Sequence, residues 1–254
     1  MKFKNLLRTA VITAVATTIL CVNVLAAPVN IPDKNLESAI RVAINMPTGV
    51  IQDADMQKLK YLDVYNKNIT SLEGIQYATN MTGLIASGNA IKTIPSLAKN
   101  TKLEGIIMSY NPLESISGLA SAPNLKYVSL KYCNSTNKLN LSQLAGASKI
   151  EYLDVSENYL TDSQIDSIAR LSTITDLNVG SNMLTNLNCV RNMSKLATIE
   201  ATDNVLTDVS ALKSKSTTLI GGRVGGNKLK LDTATRVYLQ EHGFSLDDLN
   251  YQPK

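Results

Sequence analysis

The 254-residue sequence predicts an α/β repeat solenoid, and three observations carry that prediction. Aliphatic residues recur in a fixed internal pattern every 22 to 25 residues, and an Asn holds the same place in nearly every copy. With two Phe and no Trp, the interior must be built from Leu, Ile and Val. The unit is Leu-x-x-Leu-x-Leu-x-x-Asn-x-Leu, the leucine-rich repeat signature. The expected architecture is a right-handed leucine-rich repeat horseshoe with a parallel concave sheet, a helical N-terminal cap and a C-terminal helix.

At the N-terminus, Met1, Lys2, Lys4 and Arg8 precede an uncharged apolar run from Ala10 to Leu25. This is the layout of a secretory signal peptide over residues 1-26, and Val24-Leu25-Ala26 suits cleavage before Ala27. The run is short for a bilayer-spanning helix, so no membrane span is expected after cleavage. Leu20 stands where a lipoprotein signal ahead of Cys21 wants Gly or Ala, which argues against lipidation. Cleavage removes three basic side chains and no acidic one, leaving 22 basic residues against 21 acidic ones. A near-neutral chain without a Lys/Arg cluster lacks the footprint for phosphate backbones, so no nucleic acid partner is expected. One His and three Cys exclude a His-rich or four-Cys metal site and a disulfide-dense scaffold. Neither a metal nor a cofactor is expected.

Residues 27-58 read as the N-terminal cap. Asp33 follows Pro32 as a helix start, and Leu36, Ala39, Ile40, Ala43 and Ile44 form a one-sided apolar stripe. Asp53 begins a shorter piece running through Met56 to Leu59.

About eight repeats occupy residues 59-231. The first, Leu59, Leu62, Val64, Lys67 and Ile69, is degenerate, with Lys in the Asn column. The column continues through Asn89, Asn111, Cys133, Asn158, Asn182, Asn204 and Asn227, at intervals of 22, 22, 22, 25, 24, 22 and 23 residues. The eighth copy is weak, with Gly222 at a core position. Alternating aliphatics put one strand face in the core, and an Asn amide both donates and accepts where the strand ends and the backbone turns. Cys133 fills the same small space with weaker hydrogen bonding.

Most copies are too short for long convex helices. The fifth carries a capping candidate at Asp162 and apolar spacing through Ile165, Ile168 and Leu171, which predicts one genuine α-helix. The fourth has a polar insertion, Asn134 to Lys138, read as a protruding loop. Residues 232-254 form the C-terminal cap: an acidic start at Asp232, a stop at Gly243, then Phe244, Leu246 and Leu249 folding back on the last coil.

Val29-Asn-Ile-Pro-Asp33-Lys-Asn-Leu36, the helical segment after it, and Ile69-Thr-Ser-Leu72-Glu-Gly-Ile75-Gln-Tyr77 leading into Ser87-Gly-Asn89 resemble the cap and first repeats of bacterial internalins. The similarity covers most of the chain after the signal. The 25- and 24-residue copies depart from the strict internalin rhythm, and about 25 residues follow the repeats where internalins carry an immunoglobulin-like segment. No Leu-Pro-x-Thr-Gly motif occurs. The resemblance implies a secreted, unanchored protein of a Gram-positive bacterium whose repeats bind proteins, with a host surface protein as the leading ligand class in adhesion or virulence. A bacterial envelope or cell-wall binding protein is the alternative, and a hydrolase the third reading.

Docking is expected on the concave sheet, about 40 Å long for eight strands. The outward positions are Tyr61, Tyr65, Ile85, Ile107, Tyr127, Lys131, Tyr152, Asp154, Asn178, Glu200 and Arg223, with Tyr110, Tyr132, Glu157 and Tyr159 on the adjoining rim. Seven of the ten Tyr thus fall on one surface. Tyr offers a rigid contact with a polar tip, as binding hot spots require, although it is also a good strand residue in its own right. The second half of the face is polar, with Asp154, Asp176, Asn178 and Glu200. Asp154 and Glu157 are the one carboxylate pair open to a glycosidase reading, without an enclosing cleft to support it. Cys133 and Cys189 lie two coils apart, about 10 Å, too far for a disulfide. Cys133 is expected to be buried and Cys189 partly exposed. His242 sits at a helix end without a nucleophile partner in sequence. Five Asn-x-Ser/Thr triplets are expected by chance in so Asn-rich an array. The expected state is a monomer.

Overall fold

The computed structural model describes residues 27–215 and 217–251, and the predicted signal peptide lies outside them. Eight three-residue strands pair in sequence order into one open parallel sheet. They are β1 (Tyr61–Asp63), β2 (Gly83–Ile85), β3 (Gly105–Ile107), β4 (Tyr127–Ser129), β5 (Tyr152–Asp154), β6 (Asp176–Asn178), β7 (Thr198–Glu200) and β8 (Gly221–Arg223). The chain is a leucine-rich repeat solenoid. Every strand pairs in register with the next, so each repeat position forms a column down the stack.

The middle residue of each strand points inward, and Leu62, Leu84, Ile106, Val128, Leu153, Leu177 and Ile199 are all buried. The weak eighth copy has Gly222 in that column. A Cβ there would stand 2.6 Å from the Phe244 ring, so an aromatic side chain from the C-terminal cap fills the space a Leu takes elsewhere. Most convex returns are short 3₁₀ turns such as Ile75–Tyr77 and Leu141–Leu144, and the third copy returns through a single α turn, Ser117–Ala120.

The Asn column is what closes each coil. Asn158 Nδ2 donates to the carbonyls of Leu130, Val155 and Ser156, while its Oδ1 accepts from the Cys133 and Asn134 amides at 2.6 and 2.9 Å. Asn89, Asn111, Asn182, Asn204 and Asn227 repeat this arrangement, each bridging its own coil to the one before it. From Asn111 onward these side chains are buried, where an unmade hydrogen bond costs about 1–3 kcal/mol, and Asn89 is partly so. At Cys133 the thiol donates to Met108 O at 3.2 Å, and the Leu113 amide turns to the Asn111 and Cys133 carbonyls instead of a side-chain oxygen.

Both ends are sealed by a carboxylate. Helix α1 (Lys34–Ala43) is N-capped by Asp33, whose Oδ1 accepts from the Asn35 and Leu36 amides. Its Oδ2 accepts from the Thr70 amide and hydroxyl and the Ser71 amide, riveting the cap to the first repeat. Burial pulls the Asp33 pKa up, but hydrogen bonds from Thr70, Leu36 and Ser71 outweigh it and hold the group below the ordinary aspartate value. A short helix, α2 (Asp53–Met56), begins at a capping box between Gln52 and Asp55. At the far end, Asp248 receives the Val224 and Gly225 amides at 2.6 and 3.0 Å, taking the place of a ninth coil's ladder.

Three expectations are corrected, and the C-terminal segment gains detail. Ala43 is exposed, because α1 packs through the narrower stripe Leu36, Ile40 and Ile44. The helix expected in the fifth copy is one turn, Asp162–Ile165, continued as 3₁₀ through Ile168 and capped by Thr161 with Gln164 rather than by Asp162. The insertion after Cys133 protrudes only over 135–138. Asn134 is buried and ties Asn158 O to the Leu139 amide. The C-terminal segment adds a helix over Leu246–Asn250, through which Leu249 joins Phe244 in the core, while the Leu246 side chain lies outside what is described.

Replacing Asp33 with Ala should cost roughly 1–2 kcal/mol by urea unfolding at pH 7. The folded-state pKa lies below the unfolded one, so this stabilisation is complete above about pH 4 and vanishes as the pH falls through the folded value. The two proteins should therefore converge in stability once the pH lies below the folded-state value. Cys133→Asn should complete the ladder and raise the melting midpoint, by about 1 kcal/mol in stability. A fall in the midpoint would show that the fourth coil has no room for the amide.

Candidate functional site

Two columns of side chains cover the concave sheet. The first residues of the strands give Tyr61, Gly83, Gly105, Tyr127, Tyr152, Asp176, Thr198 and Gly221. The third residues give Asp63, Ile85, Ile107, Ser129, Asp154, Asn178, Glu200 and Arg223. Nine of the predicted residues (Tyr61, Ile85, Ile107, Tyr127, Tyr152, Asp154, Asn178, Glu200 and Arg223) fall in these columns.

Tyr127 and Tyr152 are adjacent in the register and stack with ring centroids 4.1 Å apart and planes 4° from parallel. Burial, then the Tyr127 hydroxyl and the Asp154 carboxylate, drive the Tyr152 pKa upward, so it stays a neutral donor. Between Tyr61 and Tyr127 the column holds only Gly83 and Gly105. The Tyr61 ring leans over Gly83, where a Cβ would meet it at 3.0 Å. The result is a trough floored by glycine backbone, ended by tyrosines and flanked by Ile85 and Ile107.

The remaining predicted residues line the rim just beyond the strand ends. Tyr65 and Lys131 share one column, and Tyr110, Tyr132 and Glu157 share the next, immediately before the Asn column. That last column is left-handed in all eight coils: Asn66, Gly88, Tyr110, Tyr132, Glu157, Ser181, Asp203 and Gly226 have φ between 52° and 69°. The conformation aims each amide at the next coil's carbonyl, as Tyr110 N to Lys131 O (2.9 Å) and Tyr132 N to Ser156 O (3.0 Å). Asn, Asp and Gly adopt it at little cost, but a bulky Tyr does not. Tyr110 and Tyr132 are nevertheless exposed, with ring centroids 5.4 Å apart. Tyr159, with φ of 54°, is 69% exposed. Lys131 and Glu157 pair at 2.9 Å, and that contact raises the Lys131 pKa.

Asp154 departs from the expectation of an open concave carboxylate. It is 7% exposed, and its oxygens accept from the Ser156 amide and hydroxyl and from Ser129 Oγ. With Glu157 held by Lys131, both members of the suggested glycosidase pair are engaged. Sequence patterning missed the Gly83/Gly105 floor and the left-handed column, although each sits at a fixed offset from a residue the pattern does identify.

Among solved structures, the chain is similar to internalin C2 from Listeria monocytogenes, with a TM-score of 0.71 and 29% identity, covering 82% of this chain and 91% of that one. This is an internalin-like leucine-rich repeat protein. It also matches internalin F from the same organism (TM-score 0.58, 23% identity, 88% of this chain and 78% of that one). A third match is the functional domain of internalin J from Listeria monocytogenes (TM-score 0.53, 22% identity, 82% of this chain and 54% of that one). These two likenesses are of fold. The internalin J domain is described as including a cysteine ladder, whereas the internalin-like chain carries an Asn ladder with Lys67 in its first coil and Cys133 in its fourth. No family model and no curated protein sequence matches the chain.

Among the described residues no group of His, Cys, Asp and Glu is placed to hold a metal ion, and no helix is long and apolar enough to cross a membrane. His242 stacks on Tyr238 and its Nδ1 lies 2.7 Å from Tyr238 O, a local helix-end contact. Cys189, expected to be partly exposed, is fully buried because the 3₁₀ turn Asn188–Asn192 directs it inward with Val190. Burial pushes both the Cys133 and the Cys189 thiol up to about 12. The folded protein should therefore leave both thiols unmodified by an aromatic disulfide reagent at pH 8, with full reaction only in denaturant; rapid labelling of the native state would contradict this burial.

Proposed function

We propose that this internalin-like chain is a secreted, non-enzymatic protein-binding module that acts as a monomer, docks a host surface protein on its concave sheet and serves adhesion or virulence in a Gram-positive bacterium. In this reading, residues 1–26 are a cleaved signal, 27–58 and 232–254 are caps, and 59–231 present the surface. The mechanism is complementarity of shape and surface, with hydrogen bonds from tyrosine hydroxyls at the edge of an apolar centre.

One observation carries the proposal. Tyr110, Tyr132 and Tyr159 occupy left-handed backbone and expose their rings. A tyrosine there costs the fold about 1 kcal/mol relative to Gly. Stability therefore favours a different residue at these three positions, and strained, exposed aromatic side chains are accounted for by contact with something else. They continue the concave Tyr127–Tyr152 pair onto the rim of the third to fifth coils, with Ile85 and Ile107 between this group and the tyrosines of the first coil.

The test uses the full exported chain as bait against host-cell surface proteins and, separately, against isolated cell wall. Tyr110→Gly combined with Tyr132→Gly should keep or raise the melting midpoint while weakening the captured host protein at least about tenfold. Unchanged affinity would remove the tyrosines from the interface. Retention by cell wall alone would overturn the host-directed reading.

A further inference from the structure

The concave face is divided, and the division specifies what can dock on it. Over β1 to β4 its centre is the uncharged trough of Tyr61, Gly83, Gly105 and Tyr127 with Ile85 and Ile107 beside it. Over β5 to β8 the columns turn acidic. Across both columns the ionisable acid and base groups that are at least partly exposed are Asp63, Asp176 and Glu200 against the one guanidinium of Arg223, Asp154 being buried under Ser129 and Ser156. That guanidinium is already drawn to Glu200 at 3.6 Å and Asp248 at 3.9 Å. The sheet face is therefore net negative on a chain that is close to neutral once residues 1–26 are set aside.

Asp176 is central to this. Its two oxygens accept from the Thr175 and Thr198 hydroxyls, neutral donors that fix the carboxylate without discharging it. It follows Tyr152 in the same column, and Tyr152 already has Tyr127 against one side of its ring. Tyr152, Asp176, Thr198 and Glu200 line one open groove of about 370 Å³, with Arg223 at its β8 edge beside Glu200, so that among the described residues Asp176 is the carboxylate of the groove with no cation of its own chain against it. An aromatic ring beside two carboxylates complements a cationic side chain through charge and cation–π attraction together.

We infer that the partner is a protein whose docking segment carries an aliphatic or aromatic side chain for the Gly83/Gly105 trough and, about 15–20 Å away, a Lys or Arg for the Tyr152–Asp176–Glu200 groove. The separation is that of three to four strand spacings, or about five residues of extended chain at 3.3 Å each. This rests on the concave face being the docking face. Charge complementarity sets the sign, and the order of the two subsites along the sheet sets the polarity of approach.

The test selects random peptides of about 12 residues, long enough to cross the sheet, on the full chain. Enriched peptides should pair a basic residue with a large apolar one about five positions away. The best of them should lose about tenfold in affinity on Asp176→Asn with Glu200→Gln, with a parallel loss as salt is raised. Gly105→Val should fill the trough and cost a similar factor without harming the fold, since a Cβ there meets nothing nearer than 3.7 Å. Melting midpoints of the acidic-groove variants, and Glu200→Gln alone, separate loss of binding from loss of folding. Peptides that need Tyr127 and Tyr152 yet carry no basic residue would overturn this inference and leave the concave docking face standing. Peptides indifferent to Tyr127→Ala with Tyr152→Ala would overturn both. Polylysine binding as tightly as the best peptide, or no enrichment at all, would also refute the two-point requirement.

Discussion

Every coil of this protein must reverse direction at the end of a three-residue strand without leaving buried amides and carbonyls unmade. That demand organises the molecule. The Asn side chain meets it by donating to its own coil and the preceding one and accepting from the preceding one, so adjacent coils are bound by side-chain as well as strand hydrogen bonds. The strands are too short to hold register by themselves, and the buried aliphatic column and the Asn column together fix it. The left-handed residue before each Asn is a by-product of the same turn, since the backbone can present the Asn inward only by rotating its predecessor outward.

Much of this was legible in the sequence, for a physical reason. Burial selects apolar residues wherever a column meets the core, so the repeat, its start near Leu59 and the capping role of Asp33 and Asp232 could be read from residue types alone. What could not be read depends on distances between coils. Asp154 looked solvated by its strand position but is claimed by Ser129 and Ser156. Cys189 looked like a surface residue until a 3₁₀ turn directed it inward. The trough is visible only once the register sets Gly83 and Gly105 between two tyrosines. Asp33 was readable as a helix cap, but its second oxygen reaches Thr70, which no local pattern announces.

The candidate surface is built from the positions this framework does not need. Core and turn columns are constrained by packing and hydrogen bonding, whereas the outward columns are free to vary without cost to the fold. That freedom explains why a uniform backbone carries aromatic residues at one end and carboxylates at the other. Where the outward residues do cost stability, as at Tyr110 and Tyr132, the cost is what the proposed interface accounts for.

The two sealing carboxylates have a structural corollary. Asp33 closes the first coil and Asp248 the last, and the coils between them stack through the same three-residue strand register at every step. A duplicated repeat spliced between them would find matching partners on both sides and disturb neither plug. The breadth of target such a scaffold spans can thus grow or shrink in increments of one strand spacing, about 4.8 Å, by gain or loss of whole units rather than by remodelling the ends.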